Sequence, residues 1–204
     1  HGECAGAHGW NQKTVFYDES SRVPLIVSQK GRTAKAVCDN LVNTGVDILP
    51  TMMDFAGIAQ PAKLTGLSLK PIALGSQPTE WRDHIVVEDD LCQTGKIGGV
   101  HPEVAGRMVR TDRFKYCLYE TGERREALFD MQADPLETVN LAGRAEHKQD
   151  VLNCRKILAE FADKHKDAKA AAMLAGDVPA RPFPKELVDG VRQIIAARSA
   201  GKGG

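Results

Sequence analysis

Residues Arg107–Glu120 read RMVRTDRFKYCLYE, and this stretch decides the fold of the second half of the chain. β-Branched and aromatic residues stand on both sides of the polar pair Asp112-Arg113, as in two antiparallel strands joined by a tight turn. Upstream, His84-Ile85-Val86-Val87-Glu88 has the same strand character, and the segment 92–105 between them reads as loop. Downstream, Ala127-Leu128-Phe129 forms one more short strand, stopped by Asp134-Pro135. Strands that follow one another with no helix between them predict a small antiparallel sheet. From Glu146 the period changes. Val151, Cys154, Leu158 and Phe161 fall on one helical stripe, which predicts a helix lying over one face of that sheet.

The first part of the chain reads differently. Arg22-Val23-Pro24-Leu25-Ile26-Val27-Ser28 is a short apolar run between polar residues, the pattern of a strand buried on both faces, with Pro24 at its first ladder position. In VDILPTMMDFAGI, Val46, Leu49, Met53 and Ala56 recur at helical spacing. The spacing predicts a helix over 48–57, with Asp47 as N-cap, Pro50 in the first turn and Gly57 as the stop. A Pro- and Gly-punctuated linker, 57–79, contains SLKPIAL, one expected helical turn over 68–74. Beyond Asp167 the chain is Ala- and Lys-rich, then Pro-rich at 179–184. An amphipathic segment, 185–197, follows with Leu187, Val191, Ile194 and Ile195, and the terminal SAGKGG is expected to be disordered.

With 204 residues the chain has room for one or two domains. Lys plus Arg number 27 and so do Asp plus Glu, and this zero balance argues against nucleic acid as a partner. No apolar run approaches the ~18 residues of a membrane span, so no membrane role is expected. Cysteines 4, 38, 92, 117 and 154 form no CxxC pair, which makes a poor disulfide framework and a poor zinc site. Small buried apolar residues are the better reading. Arg22 reads as a packing or salt-bridge residue, Asp89 and Asp90 as a solvated turn, and the basic clusters at 123–125 and 164–169 as solvated surface.

The opening HGECAGAHGWNQK holds two histidines and a lysine. Alone, each piece is ordinary: His-Gly-Glu makes a turn, and a His or Lys in a Gly-rich loop is usually exposed. Their order and spacing are not ordinary. HGECAGAHGWNQK followed by TVFYDESSRVPLIVS resembles the metal-end motif of the sulfatases, in the alkaline-phosphatase superfamily. VDILPTMMDFAGI, GLSLKPIALG and RMVRTDRFKYCLYETGERREALFDMQADPLETVNLA extend the resemblance over residues 1–165.

The resemblance implies an α/β protein: the C-terminal part of an alkaline-phosphatase-like α/β sandwich over 1–78, then a four-stranded antiparallel sheet with a packed helix over 79–166. Residues 167–204 would be a helical extension and a disordered tail. In sulfatases the motif reads Ser-Asp-His-Gly-Glu or Ser-Asp-Asn-Gly, and the Asp and its neighbour hold a divalent cation, usually calcium. This chain begins one residue after that Asp, so His1 is expected beside the metal. Lys13 matches the lysine that contacts the sulfate oxygens, as a catalytic and substrate-binding group. His8 either reaches the substrate from the same loop or is simply exposed.

The chemistry is coherent. Cleaving the S–O bond of an anionic sulfate ester moves charge onto the leaving oxygen, and a cation with an ammonium stabilises it. An ammonium, a point charge with three donors, suits a tetrahedral anion. The family's formylglycine nucleophile arises in Cys/Ser-x-Pro-x-Arg, a pattern this sequence lacks. The expectation is therefore a sulfatase C-terminal part. The intact enzyme would hydrolyse sulfate esters of a small molecule or saccharide, and this chain alone would neither turn over substrate nor hold calcium tightly. Family resemblance implies a periplasmic or secreted protein. The alternatives are a phosphonate or phosphate ester hydrolase of the same superfamily, and a non-catalytic interaction module.

Overall fold

In the computed structural model, which describes residues 1–10, 12–92, 95–175, 178 and 180–200, the Asp112-Arg113 turn joins two strands as expected. Four strands, β1 (His84–Cys92), β2 (Glu103–Thr111), β3 (Phe114–Tyr119) and β4 (Glu126–Asp130), form one sheet in the order β1-β2-β3-β4. The helices are α1 (Asp18–Ser21), α2 (Thr44–Ala56), α3 (Lys70–Ala73), α4 (Lys148–His165), α5 (Ala168–Leu174) and α6 (Lys185–Ala200). The chain divides into two compact units, one of residues 1–22 with 86–204, the other of residues 23–85. No helix among the described residues is long and apolar enough to cross a membrane.

In the larger unit, β2 and β3 pair from Gly106↔Tyr119 to Arg110↔Lys115, and β3 and β4 from Phe114↔Asp130 to Leu118↔Glu126. The alternation along each strand sorts side chains onto two faces. Ala105, Val109, Tyr116, Leu118 and Leu128 lie on one face against Val151, Cys154, Leu158 and Ala162 of α4 and Ala170 and Met173 of α5. Val151, Cys154 and Leu158 are the stripe the sequence predicts, Phe161 of that stripe packing on it only partly buried, and each fully buried large side chain contributes about 1.5–3 kcal/mol. Met108 and Cys117 lie on the other face, packed with Phe16. That second face carries the N-terminal segment.

The open side of β4 is closed by side chain and turn. Asn140 Nδ2 donates to Glu126 O (3.0 Å), Leu128 N donates to Asn140 Oδ1 (3.0 Å), Leu141 N donates to Leu128 O (2.8 Å), and Asp134 N donates to Asp130 O (2.7 Å). Each backbone group named here would otherwise be an unpaired edge.

Several charges expected on the surface are internal. Arg107, on the helix-facing side of β2, pairs with Asp167 (2.6 Å) at the start of α5 and with Asp90 (3.0 Å) in β1. Asp90 is thus a strand residue and not part of a turn, although its side chain stays half exposed, while Lys164, Lys166 and Lys169 are exposed as expected. Arg125 is only 2% exposed, its Nε donating to Tyr119 O (2.8 Å) and an Nη to Met173 O (3.2 Å). α6 runs to Ala200, so Ser199 and Ala200 are helical, not disordered, while 201–204 lie outside the described residues. Gly190 of α6 is needed where it sits: a Cβ there would stand 2.5 Å from Gly98 N.

The smaller unit departs most from the sequence reading. The expected strand over 22–28 does not form. Residues 23–29 carry no regular structure, and Leu25 and Ile26 are exposed. An apolar run becomes a strand only where neighbouring strands supply its ladder, and none among the described residues does so. The helix over 48–57 exists but starts earlier. Asn43, not Asp47, is the N-cap, accepting from Gly45 N (3.0 Å). Asp47 sits inside, fully buried, accepting from Asn43 N (2.8 Å) and Leu67 N (2.9 Å) and gripped at both oxygens by Arg82 (2.7 and 2.6 Å). Pro50 therefore lies past the first turn and leaves Val46 O without its helical donor. Gly66 packs directly on that carbonyl, since a Cβ there would fall 1.9 Å from it. Gly57 ends the helix in the left-handed conformation (φ 70°), as expected. The turn expected in 68–74 is α3.

Candidate functional site

α1 is a single helical turn, yet the whole N-terminal loop hangs on it. Its Ser20 donates from Oγ to Lys13 O (2.8 Å) and accepts at its carbonyl from Gly2 N (2.8 Å). A Cβ on Gly2 would stand 2.0 Å from Glu19 O, so the glycine after His1 is required by close backbone approach. His8 stacks on Tyr17, with ring centroids 3.7 Å apart and planes within 3°, and its Nε2 lies 3.4 Å from a carboxylate oxygen of Glu19. Residues 17–20 thus hold the backbone beside His1, the ring of His8 and the backbone of Lys13.

The loop between is tight and partly strained. Ala5, His8 and Gln12 have positive φ (48°, 53° and 70°), costing of order 1 kcal/mol each. Gly6 and Gly9 absorb two further left-handed positions (φ 101° and 72°). Cys4 N bonds Gln12 O (2.8 Å) and Gly6 N bonds Trp10 O (2.8 Å), while the Glu3 carboxylate accepts from Gln12 N. Cys4 is buried beneath, and burial with the Glu19 charge pushes its thiol pKa upward. His1 is exposed, its Nδ1 3.0 Å from Gly2 O. Lys13 is also exposed, and no carboxylate pairs with its ammonium among the described residues.

α1 is itself fastened to the sheet from below. Asp18 N donates to Glu137 Oε2 (2.6 Å), and Lys115 Nζ donates to Phe16 O (3.0 Å) and to the Asp18 carboxylate. Lys115 Nζ also lies 2.9 Å from Glu137 Oε1 as a close ion pair. Lys115 is 1% exposed and Glu137 3%. Burial raises the Glu137 pKa, with Lys115 opposing. Arg22 pairs with Asp18 (3.6 Å), as its reading as a salt-bridge residue requires. The sequence reading missed Tyr17, Glu19, Lys115 and Glu137. The last two sit within the FKY and DPLE segments, but their meeting with Asp18 joins positions about a hundred residues apart.

Comparison with known proteins decides what this loop belongs to. The sequence matches the family described as N-sulphoglucosamine sulphohydrolase, C-terminal, over residues 6–164. The chain belongs to the sulfatase family, by its C-terminal part. The Delta 4,5-hexuronate-2-O-sulfatase of Bacteroides thetaiotaomicron is 31% identical over 207 residues, 96% of this chain but 40% of that protein. A crystal structure of a candidate sulfatase from the same organism matches with TM-score 0.75 at 30% identity, covering 92% of this chain and 38% of that one. A phosphonate monoester hydrolase from Silicibacter pomeroyi matches with TM-score 0.68 at 25% identity, covering 83% and 34%. The fold is accordingly that of the C-terminal part of alkaline-phosphatase-like sulfatases, with its four-stranded antiparallel sheet.

Sulfatases use a divalent cation. Among the described residues of this sulfatase chain, no three or more His, Cys, Asp or Glu side chains converge as a metal group.

Proposed function

We propose that this chain is part of a sulfatase that hydrolyses sulfate esters of saccharides, and that its N-terminal loop is one wall of the substrate site. The observation that carries the reading is the Lys13 ammonium, exposed and without a carboxylate partner among the described residues, on a loop whose backbone is pinned at Ser20. A solvated surface lysine needs no such support. A lysine that must meet a sulfate at a fixed place does, because misplacement by about 1 Å can cost 100-fold in rate.

In this reading Lys13 binds the non-bridging sulfate oxygens and stabilises the charge that builds as the S–O bond breaks. His8, held by the Tyr17 stack and by Glu19, would reach the substrate from the same loop. His1 would stand beside the divalent cation, calcium in most of the family. That ion supplies Lewis-acid polarisation of the sulfate when bound. A formylglycine nucleophile would come from polypeptide beyond this chain, and this chain alone would be inactive. Saccharide specificity rests on the hexuronate sulfatase and the sulphoglucosamine family among the matches. A periplasmic or secreted location follows the same likeness.

The test is an assay of the full-length gene product on sulfated uronate and glucosamine saccharides and on p-nitrophenyl sulfate, beside phenyl phosphonate monoesters. Sulfate esters should be the better substrates, and Lys13→Met should lower kcat/KM by about 100-fold with an unchanged melting temperature. Faster turnover of phosphonate esters would favour the second reading, a phosphonate monoester hydrolase, which the Silicibacter likeness keeps in play. Full activity in Lys13→Met would remove the role given to the loop.

A further inference from the structure

We propose that Lys115 and Glu137 are positioning residues: a buried clamp that sets the place of Lys13 and His8 from the far side of α1. The inference rests on the reading of the loop as a substrate wall. Burying a lysine in a sheet face is costly unless every donor is met, and an apolar side chain there would often serve stability as well. Lys115 nevertheless lies under Phe16 and Asp18, 1% exposed, reaching the loop's backbone at Phe16 O (3.0 Å). Glu137 takes the backbone amide of Asp18 (2.6 Å), the first residue of α1. The two groups grip both sides of the residue at which the helical turn begins.

Three cations stand around the two carboxylates of the clamp, the third being the exposed Arg22 that pairs with Asp18 (3.6 Å). Two carboxylates, Asp18 and Glu137, face the ammonium of Lys115, and the partly buried guanidinium of Arg110 stands close enough to feel both carboxylates. From α1 the constraint passes on through contacts already given: Ser20 to Lys13 O and to Gly2 N, Tyr17 to the His8 ring, Glu19 to His8 Nε2. The sheet makes room for this. Gly106 has no side chain where Phe16 lies, and a Cβ there would be 2.6 Å from the Phe16 ring. The antiparallel sheet thereby acts as the rigid base that registers the loop, and the buried salt-bridge cluster is the registering contact.

The experiment uses the full-length gene product with three substitutions: Glu137→Gln, Ser20→Ala and, as a stability control on α4, Val151→Ala. Glu137→Gln keeps an acceptor for Asp18 N but removes the charge that faces Lys115. Ser20→Ala cuts the link to Lys13 alone and carries the test if Glu137→Gln does not fold. Hydrogen exchange in peptides spanning 12–21 should rise by about tenfold in both clamp variants while β3 stays protected. Turnover of the sulfate ester should fall by roughly 10–100-fold, mainly in kcat. Val151→Ala should lower the melting temperature comparably yet leave kcat near that of the wild type. Folded clamp variants with wild-type kcat, or losses matched by Val151→Ala, would overturn the inference. If the wild type cleaves no sulfate ester, the function reading fails and exchange alone decides the clamp: unchanged protection over 12–21 overturns it, and lost protection supports it.

Discussion

Arg155 of α4 grips Glu126 of β4 with two parallel hydrogen bonds, and the same carboxylate accepts the hydroxyl of Tyr116 (2.5 Å). Burial and the Glu126 charge hold that phenol protonated, well above its usual range. Arg155→Met would leave a carboxylate on the helix-facing side of the sheet without its cation. The pair keeps 25% and 17% side-chain exposure, so solvent screening reduces the loss below that of a fully buried pair. Urea unfolding should show a loss of about 1–3 kcal/mol with an unchanged m-value.

Gly106→Ala should be destabilising although it adds one methyl to a strand. The new Cβ would meet the Phe16 ring at 2.6 and 3.1 Å and Tyr119 at 3.2 Å. Phe16 is 3% exposed and has little room to move. A thermal melt should register a loss of about 1–3 kcal/mol, the range of overpacked cores. Loss of order should reach the segment before α1, read as sharper exchange at residues 14–17.

The acid limb of stability should depend on Asp167. Its bond to the Arg107 guanidinium lowers the carboxyl pKa below the ordinary 3.8. A lowered folded-state pKa gives stability that is present above the unfolded value and lost as pH falls through the folded value. Asp167→Asn should therefore be less stable than wild type at pH 7, and the two should converge as pH falls below the ordinary aspartate range and through the lowered folded-state value. Asn still accepts from Ala170 N at the helix start, so α5 itself should persist. Equal acid limbs in the two proteins would contradict this.

Thiol labelling should be sharply selective. Burial pushes the Cys117 and Cys154 thiols up to about 12, and both are buried against the two faces of the sheet. Cys38 is exposed. At pH 8 iodoacetamide should modify Cys38 rapidly and Cys117 and Cys154 only after unfolding, as read by peptide mass spectrometry.

The elements legible in the sequence are those whose partners lie close along the chain. The hairpin through Asp112-Arg113 and the α4 stripe of Val151, Cys154 and Leu158 are written in local periodicity, and both form. The run RVPLIVS is equally apolar but forms no strand, because a ladder requires partners that periodicity does not record. Asp47 looks like a cap and is a buried hub, since Arg82 and Leu67 come to it from 35 and 20 positions away. At the candidate site the order of His1, His8 and Lys13 carries the family likeness. Lys115 and Glu137 were hidden for the reason Asp47 was: a charged residue reads as surface or as a cap until the residue facing it is known.

Asn140 mimics, with one side-chain amide, the backbone of a fifth strand laid along β4. A margin finished in this way offers a neighbouring molecule few free rungs at its centre. An Asn140→Ala chain would carry a fresh seam there, along which strands of other copies could pair.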